Sequence, residues 1–369
     1  MKIPGFDLKR QYQMIKPEVN GVIQSVLEGG QFILGENVSL LEEEIANYCG
    51  VKHAIGVASG TDALLLSLRA CGIGPEDEVI TTPFTFFATA EVISNLGAKP
   101  VFVDIEPETF NIDIEKIEKS ITKKTRAIIP VHLFGQICDM DQIMNLKEKY
   151  NLFIIEDACQ AIGATYRDKK SGSMGNTGCF SFFPTKNLGG YGDGGMITTD
   201  SDELKEKLFL LRGHGSKKKY YHDELGYNSR LDELQAAILR VKLRYLDTWI
   251  SRRQELANLY TSLLFDIPDV ITPVVKGDRT HTFHQYVIRA KDRDSLQKYL
   301  SDSGIGSAIY YPLPLHLQKV YRYLGYKPGD FPQAEKASGE VLALPMWPEL
   351  KNEEAEEVAG VIRKFYGKA

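Results

Sequence analysis

One lysine stands between an apolar segment and a run of glycines near the middle of the chain. The segment Ser181-Phe182-Phe183-Pro184-Thr185-Lys186-Asn187 is followed closely by Gly189-Gly190-Tyr191-Gly192-Asp193-Gly194-Gly195. Glycines let a loop close tightly around a ligand, because they carry no side chain. Since lysine forms Schiff bases with carbonyl cofactors, Lys186 is a candidate anchor for pyridoxal phosphate. Most loop lysines are solvated charges, so this assignment depends on other residues.

Two further groups would complete a site for that cofactor. Asp157 ends the apolar run that begins at Ile154, and Ser59-Gly60-Thr61 joins a predicted strand to a predicted helix. A pyridinium nitrogen needs a fixed anion to stay protonated, and we assign that role to Asp157. Backbone N–H groups at the helix N-terminus could hold a phosphate. Taken alone, the tripeptide is more typical of an ordinary helix cap.

Short apolar strands alternate with amphipathic helices from about residue 53 to residue 200. The predicted strands are His53–Ala58, Glu78–Thr81, Pro100–Asp104, Arg126–Val131, Leu152–Ile155, Gly178–Phe183 and Gly194–Thr198. The predicted helices are Thr61–Ala70, Ala88–Leu96, one from about Asp113, and Met140–Tyr150. This pattern indicates an α/β fold with a mostly parallel sheet covered by helices. Ligands of such sheets bind beyond the carboxyl ends of the strands, where Phe86 could cover one face of the cofactor ring.

The pattern changes after residue 232. A helical stretch over residues 233–264 is too long for an average globular helix, which predicts a bend or a connection between domains. Beyond it we predict strands at Gln285–Ile288 and Ala308–Tyr311, and helices at Ser295–Ser303, Ala334–Ala343 and Glu353–Phe365. We therefore expect a large domain over residues 1–245 and a smaller C-terminal α+β domain over residues 246–369. The amphipathic segment Pro17–Leu27 is expected to pack on the small domain or on a second subunit.

Composition excludes several classes of function. The 369 residues carry a formal net charge of -5 and are 43% hydrophobic, which offers no electrostatic footprint for nucleic acid or an anionic membrane. The five cysteines are scattered without metal-ligand spacing, so we expect no metal site and a reducing cytoplasm. The first residues lack the apolar stretch of a signal peptide, and no apolar run is long enough to span a bilayer.

Six motifs, in order along the chain, resemble one family. They are Gly30-Gln31-Phe32-Ile33-Leu34-Gly35, Ser59-Gly60-Thr61-Asp62-Ala63-Leu64, Glu156-Asp157-Ala158-Cys159-Gln160-Ala161, Ser181-Phe182-Phe183-Pro184-Thr185-Lys186, Gly226-Tyr227-Asn228-Ser229-Arg230-Leu231-Asp232 and Tyr311-Pro312-Leu313-Pro314-Leu315-His316. The chain resembles the fold-type I, pyridoxal-phosphate-dependent aminotransferases of the DegT/DnrJ/EryC1/StrS family. Members of this family act on nucleotide-linked keto sugars. The resemblance covers nearly the whole chain.

The resemblance implies a role for each matching residue. Lys186 would form the Schiff base and move protons as a free amine, Asp157 would pair with the pyridine nitrogen, and Gln160 would bond the phenolic oxygen. Asn228 would reach the phosphate from the neighbouring subunit, so the site would need a homodimer. The implied cofactor-binding residues are Gly60, Thr61, Phe86, Asp157, Gln160, Ser181, Lys186 and Asn228. The implied substrate-binding residues are Arg230, Tyr310, Tyr311 and His316.

The implied reaction is a transamination for glycan biosynthesis. L-glutamate would convert the cofactor to pyridoxamine phosphate, which would then aminate a nucleotide-diphosphate-linked keto sugar. The segment 308–317 resembles members that aminate carbon 3 of a dTDP-linked 3-oxo-6-deoxyhexose or a UDP-linked 3-oxo sugar. Amination at carbon 4 stays open, and so does the choice of nucleotide.

Three alternatives follow from the same fold. A sugar dehydratase would carry histidine in place of Lys186, and a cysteine desulfurase would need a reactive cysteine on a loop. A non-catalytic regulatory homologue would be expected to have lost Lys186 or Asp157. The chain retains both residues, which favours the aminotransferase.

Overall fold

Strands and helices alternate along residues 2–368, the part of the chain that the computed structural model describes. The strands are β1 (His53–Val57), β2 (Glu78–Thr81), β3 (Lys99–Phe102), β4 (Thr125–Ile128), β5 (Phe153–Asp157), β6 (Thr165–Tyr166), β7 (Lys169–Lys170), β8 (Thr177–Ser181), β9 (Gly195–Thr199), β10 (Val270–Ile271), β11 (Tyr286–Ala290) and β12 (Val341–Leu344). The α-helices are α1 (Leu8–Gly29), α2 (Glu36–Cys49), α3 (Gly60–Ala70), α4 (Ala88–Asn95), α5 (Ile114–Ile117), α6 (Met140–Tyr150), α7 (Asp202–Arg212), α8 (Glu233–Leu243), α9 (Leu246–Leu264), α10 (Arg293–Asp302), α11 (Pro332–Glu340) and α12 (Asn352–Phe365). Short 3-10 helices lie at Glu118–Ser120, Leu133–Gly135, Leu315–Leu317 and Lys319–Leu324.

Seven strands form the central sheet in the order β1-β9-β8-β5-β4-β2-β3. The neighbouring pairs from β8 to β3 are parallel, whereas β9 runs antiparallel to both β1 and β8. Helices α3, α4 and α7 share one hydrophobic core with the sheet, and α2, α8 and α6 contribute to others. The predicted α/β fold with a mostly parallel, helix-covered sheet is confirmed. Because β9 alone is reversed, the carboxyl ends of the other strands meet at one edge.

A three-stranded antiparallel sheet, in the order β10-β11-β12, lies in the C-terminal part of the chain. Its core contains side chains of α9, α10 and α12, and Ile3 from the start of the chain joins it. Ile3 also forms a parallel bridge with Ile305. No helix within residues 2–368 has the length and apolar character that crossing a bilayer requires. The domain boundary after residue 245 stays a prediction, although the break between α8 and α9 falls at Arg244–Tyr245.

Two element predictions in the C-terminal part were wrong. Residues 308–311 form no strand and make only an isolated bridge between Ala308 and Ala343. Pro312 and Pro314 follow directly and have no N–H to donate to a ladder. The predicted helix over residues 334–343 ends at Glu340, and the next four residues form the buried strand β12. A short continuous apolar run fits a buried strand as well as a buried helix, because it contains no polar positions that would reveal a period of 2 or 3.6.

Helix α1 extends well beyond the predicted segment Pro17–Leu27. Its Ile15 and Val19 pack in one cluster with Ile238 and Val241 of α8. Its Arg10 pairs with Glu354 of α12, with 2.6 Å between Nη1 and Oε2. The helix therefore contacts both parts of the chain, and the expected contact with a second subunit stays a prediction.

A buried lysine ties α8 to the glycine-rich loop after Lys186. Lys242 is only 1% exposed, and its Nζ donates a hydrogen bond to the carbonyl of Gly189. Burial lowers the pKa of Lys242 from 10.5 to about 8, against the opposing attraction of Glu349. The unfolded chain therefore binds more protons than the native state between these two pH values. In that window the contribution of Lys242 to stability rises with pH.

Replacing Lys242 with methionine removes this pH dependence. We expect the free energy of unfolding of the native sequence, relative to Lys242→Met, to rise by about 3 kcal/mol between pH 8 and pH 10.5. Denaturant titrations at several pH values measure this difference. Lys123→Met is the matched control, because Lys123 is exposed. Parallel stability curves for Lys242→Met and the native sequence would contradict the expectation.

Candidate active site

A cavity of about 400 Å³ lies at the carboxyl edge of the central sheet. Residues at the ends of β1, β5 and β8 enter it, because the parallel arrangement brings these strand ends together. The sequence-predicted residues that line it are Gly60, Thr61, Phe86, Asp157, Gln160, Ser181, Lys186, Tyr310 and Tyr311. The structure thus gathers the predicted cofactor anchor, its anion and the phosphate cradle around one space.

Asp157 is a buried carboxylate held by two donors. Thr89 of α4 donates its hydroxyl to Oδ2 at 2.8 Å, and the backbone N–H of Cys159 donates to Oδ1 at 3.3 Å. The Thr89 hydroxyl also lies 3.0 Å from that of Thr85. These bonds fix an anion on the wall of the cavity, as a cofactor ring nitrogen would require.

Glu156, the preceding residue, faces the other side of the sheet. Its carboxylate lies 3.0 Å from His132 Nε2. It accepts three backbone N–H bonds, from Gly172 at 2.8 Å, Met174 at 2.7 Å and Gly175 at 2.6 Å. Complete burial opposes ionisation of Glu156, but the bonds from His132 and the backbone outweigh it and hold the pKa below its ordinary value. Strand alternation therefore separates a structural carboxylate from a site carboxylate.

Lys186 lies on the loop after β8, and its side chain lines the cavity. Its backbone N–H donates to the carbonyl of Phe183 at 2.8 Å, which closes a tight turn. Burial lowers the pKa of the Lys186 amine, although Cys159 and Asp157 oppose the shift. A lowered pKa increases the share of neutral amine, which is the nucleophilic form.

The phosphate-cradle candidate lies where β1 passes into α3. Ser59 caps the helix by accepting from the N–H of Asp62 at 3.0 Å. The N–H groups of Gly60 and Thr61 lie in the first turn of the helix, where no intrahelical acceptor exists. A Cβ atom on Gly60 would stand 2.6 Å from the Cβ of Ser181 and 3.0 Å from the Sγ of Cys159. Only glycine therefore allows the start of α3 to lie this close to Ser181 and Cys159. The unpaired N–H groups at this helix start fit a phosphate.

Replacing Gly60 with alanine is expected to weaken binding of pyridoxal phosphate by at least about tenfold. The added Cβ would push the start of α3 away from Ser181 and so move the groups that would hold the phosphate. We expect a loss of stability of about 1–3 kcal/mol from the same overlap. Gly339→Ala is the control, since a Cβ there meets no atom within 4 Å. Absorbance titration with the cofactor measures affinity. Equal affinities in the two variants would refute a tight cradle at Gly60.

Two hydrogen bonds fix the orientation of the Gln160 amide, which lines the cavity. Gln160 accepts from the N–H of Phe134 at 2.9 Å and donates through Nε2 to the hydroxyl of Tyr311 at 3.1 Å. The second N–H of the Gln160 amide remains able to donate to a phenolic oxygen. Phe86 is 59% exposed, with its ring centroid 6.5 Å from that of Tyr311. An exposed aromatic ring beside an oriented amide fits the pyridine ring and phenol of pyridoxal phosphate.

Three predicted site residues lie outside this cavity. Asn228 and Arg230 line a separate groove, which adjoins the cavity at Asp193. His316 is only 1% exposed, with Nε2 3.1 Å from Glu335 and its ring against Phe331. Its Nδ1 is buried and has no hydrogen-bond partner within residues 2–368, and the substrate contact expected for His316 stays a prediction. Its position after Tyr311 in the sequence gave no sign that the chain turns inward there.

Sequence reasoning missed Thr89, Cys159 and His284, which also line the cavity. Burial raises the pKa of the Cys159 thiol well above its ordinary value, so the thiol stays protonated and is a poor nucleophile. This argues against the desulfurase alternative. A lone threonine in a helix carries no local signal, and only its contact with Asp157 identifies it. No cluster of three metal-binding side chains occurs within residues 2–368.

The fold and the cavity define a pyridoxal-phosphate-dependent enzyme of fold type I. The model of the DegT/DnrJ/EryC1/StrS aminotransferase family matches residues 13–363, and the chain belongs to this family. The resemblance seen in the six motifs is thereby confirmed.

Similar proteins span the full length of the chain. A pleiotropic regulatory protein of Geobacillus stearothermophilus is 55% identical over 368 residues, which cover 99% of each chain. A UDP-N-acetyl-3-dehydro-alpha-D-glucosamine 3-aminotransferase of Acidithiobacillus ferrooxidans is 47% identical over 362 residues, covering 98% of this chain and 97% of the relative. Other relatives are named as transaminases of dTDP-linked 3-amino sugars. The crystal structure of S. venezuelae DesV with a ketimine intermediate superposes with a TM-score of 0.97 at 41% identity, covering 100% of this chain and 99% of DesV.

Proposed function

We propose that the protein transfers the amino group of L-glutamate to carbon 3 of a nucleotide-diphosphate-linked 3-oxo hexose, giving a 3-amino sugar. The observation that carries the proposal is the cavity that places Lys186, Asp157 and Gln160 around one space. The named activities of relatives on UDP- and dTDP-linked 3-amino or 3-oxo sugars support carbon 3.

The cavity residues divide the work of such a transfer. Pyridoxal phosphate, when bound, supplies a carbonyl that takes up the amino group and an electron-poor ring that accepts electrons from the broken C–H bond. Gly60, Thr61 and Ser181 would hold its phosphate, and Asp157 would keep its ring nitrogen protonated. The Nζ of Lys186 would remove the proton from the α-carbon of glutamate and later deliver a proton to carbon 3 of the sugar.

An amination assay over a small panel of substrates tests the proposal. The panel contains dTDP- and UDP-linked sugars with the oxo group at carbon 3 or carbon 4, each supplied with ¹⁵N-labelled glutamate. We expect ¹⁵N at carbon 3 and one 2-oxoglutarate for each amino sugar, both read by mass spectrometry. Amination of the 4-oxo sugars alone would replace the proposal with the carbon-4 alternative. Label in no sugar would overturn both.

We also propose that the active enzyme is a homodimer in which Asn228 and Arg230 complete the partner's site. Their position in a groove outside their own cavity supports this arrangement. The side chains of Phe32, Ile33 and Leu34 within the motif Gly30–Gly35 are exposed, and Ile33 lines the same groove as Asn228 and Arg230. A second copy of the chain would cover these apolar side chains.

Subunit mixing tests the shared site. Asn228→Ala and Lys186→Ala homodimers are each expected to be nearly inactive, but a mixed dimer holds one intact site. Random mixing should therefore restore about a quarter of the native activity, since half of the dimers are mixed and each has one working site of two. Activity of co-expressed, differently tagged subunits measures this recovery. Mixtures no more active than their parents would contradict a site completed in trans.

A regulatory role is a second candidate, raised by the name of the Geobacillus stearothermophilus relative. Such a role does not require the cofactor chemistry, whereas Lys186 and Asp157 are both present in the cavity. An absorbance spectrum after addition of pyridoxal phosphate separates the two candidates. A visible band that disappears on adding glutamate supports the enzyme, and no band supports the regulatory role.

We place the reaction in the cytoplasm, where nucleotide sugars and glutamate would both be available. The free state of Cys49, Cys71, Cys138, Cys159 and Cys179 supports a reducing compartment. Fractionation of cells that express the tagged protein tests this location, and recovery outside the cytoplasmic fraction would contradict it.

A further inference from the structure

The loop that carries Lys186 is closed at its base by one backbone hydrogen bond. The N–H of Gly190 donates to the carbonyl of Phe182 at 2.8 Å, so Lys186 lies near the middle of a closed segment. A Cβ atom on Gly189 would stand 2.3 Å from the carbonyl oxygen of Pro184, which shows how closely the two sides of this segment approach each other. The position of Lys186 therefore depends on the elements that hold the closing residues.

Helix α8 holds the base of this loop through the side chain of Gln235. Its Oε1 accepts a hydrogen bond from the backbone N–H of Tyr191, the residue after Gly190, at 2.8 Å. A Cβ atom on Gly190 would stand 2.7 Å from the same oxygen, and one on Gly192 would stand 3.1 Å from Nε2. The Gln235 amide thus packs directly against the backbone on both sides of Tyr191, because neither neighbour has a side chain.

A second residue of α8 holds the same loop. Lys242 follows Gln235 by seven positions, and residues at this spacing lie on one face of a helix. The Nζ of Lys242 donates to the carbonyl of Gly189 and lies 4.7 Å from the centroid of the Tyr191 ring. One face of α8 therefore bonds the backbone immediately before and immediately after Gly190.

The place of Lys186 leaves little tolerance for displacement, because its amine must reach one carbon atom of each substrate. A shift of about 1 Å in a reacting group can reduce a rate about 100-fold. Gln235 also lines the groove that contains Asn228 and Arg230. It therefore connects the loop of Lys186 to the residues proposed to complete the partner's site.

We propose that Gln235 is a positioning residue that fixes the loop of Lys186 through its bond to the Tyr191 N–H. It acts through the backbone of the loop and touches no reacting atom. The bond is present in the chain without cofactor, where Gln235 helps to set the direction from which the Lys186 amine enters the cavity. The catalytic consequence rests on the proposed function, whereas the bond itself can be tested in the cofactor-free protein.

Hydrogen–deuterium exchange of the cofactor-free protein tests the bond. Gln235→Met removes the acceptor at a similar side-chain length, and Gln235→Glu retains it. We expect the Tyr191 amide, read by fragment-resolved mass spectrometry, to exchange at least about tenfold faster in Gln235→Met and within about twofold of the native rate in Gln235→Glu. Gln142→Met is the matched control, because Gln142 is exposed on α6. An unchanged rate in Gln235→Met, or an equal rise in Gln235→Glu, overturns the proposal.

Kinetics of the loaded enzyme give a second readout. We expect Gln235→Met to lower kcat about 10- to 30-fold, with KM for glutamate and for the keto sugar within about threefold, and Gln235→Glu to recover most of the loss. The deuterium isotope effect with glutamate labelled at the α-carbon should rise in Gln235→Met, because the proton transfer by Lys186 is the step that slows. A merely structural role would lower stability and leave kcat of the folded protein unchanged. If Gln235→Met does not fold, Gln235→Leu takes its place.

Gly190→Ala disturbs the same contact from the other side, because its Cβ would displace the Oε1 of Gln235. In the double variant with Gln235→Met, the loss in kcat should stay within about threefold of the larger single loss. A loss equal to the product of the two single losses overturns the proposal. If the native protein aminates no sugar while the Tyr191 amide loses protection in Gln235→Met, the proposed function fails and the positioning contact stands. Native amination with an unchanged kcat in Gln235→Met has the opposite meaning.

Discussion

Replacement of Lys186 by alanine is expected to reduce multiple-turnover transamination by at least about 10⁴-fold. The lysine amine is the only cationic side chain among the residues that line the cavity within residues 2–368, so no second amine there can take over its role. Pyridoxal phosphate should still bind through its phosphate, but without the absorbance shift that accompanies bonding to an amine. Coupled detection of 2-oxoglutarate over many turnovers measures the loss.

Lys123→Ala is the matched control, because this lysine is exposed and precedes β4, at the edge of the sheet opposite the cavity. Its rate and spectrum should equal those of the native protein. Added methylamine should restore part of the activity of Lys186→Ala, since a small amine can occupy the vacated space and carry the proton. Sustained turnover by Lys186→Ala without an added amine would show that the lysine has been misassigned.

Asp157→Asn is expected to lower kcat by about 10²- to 10³-fold with little change in fold. The amide has nearly the same shape and can still accept a bond from Thr89, which lies 2.8 Å from the carboxylate. It carries no charge, however, and therefore does not keep a pyridine nitrogen protonated. Stopped-flow absorbance with glutamate measures the slowed half-reaction.

Glu156→Gln is the contrasting variant at the neighbouring position. Its carboxylate bonds His132 and three backbone N–H groups on the other side of the sheet. We expect a loss of about 2–4 kcal/mol in unfolding free energy and a kcat within about threefold of the native value in the folded protein. If Glu156→Gln slowed catalysis as much as Asp157→Asn while remaining folded, the division of labour between the two carboxylates would be wrong.

The chemistry of the site was readable in the sequence because it depends on residue types at strand ends. A lysine before glycines, a carboxylate after two isoleucines and a hydroxyl-glycine-hydroxyl tripeptide each follow an apolar strand. Parallel strands bring such ends to one edge whatever their order in the sheet. This explains why Lys186, Asp157 and Gly60 meet in the cavity as predicted, and why the α/β fold followed from the alternation of elements.

Tertiary structure alone decided which distant residues support these groups. Thr89 and Asp157 are 68 residues apart, and Gln160 and Tyr311 are 151 apart. It also turned His316 into the interior and brought His284 beside the lysine loop. Local patterns specify strands, helices and turns because these depend on near neighbours. Hydrogen-bond partners across the fold depend on strand order and on the docking of the C-terminal part, which are set by the burial of the whole chain.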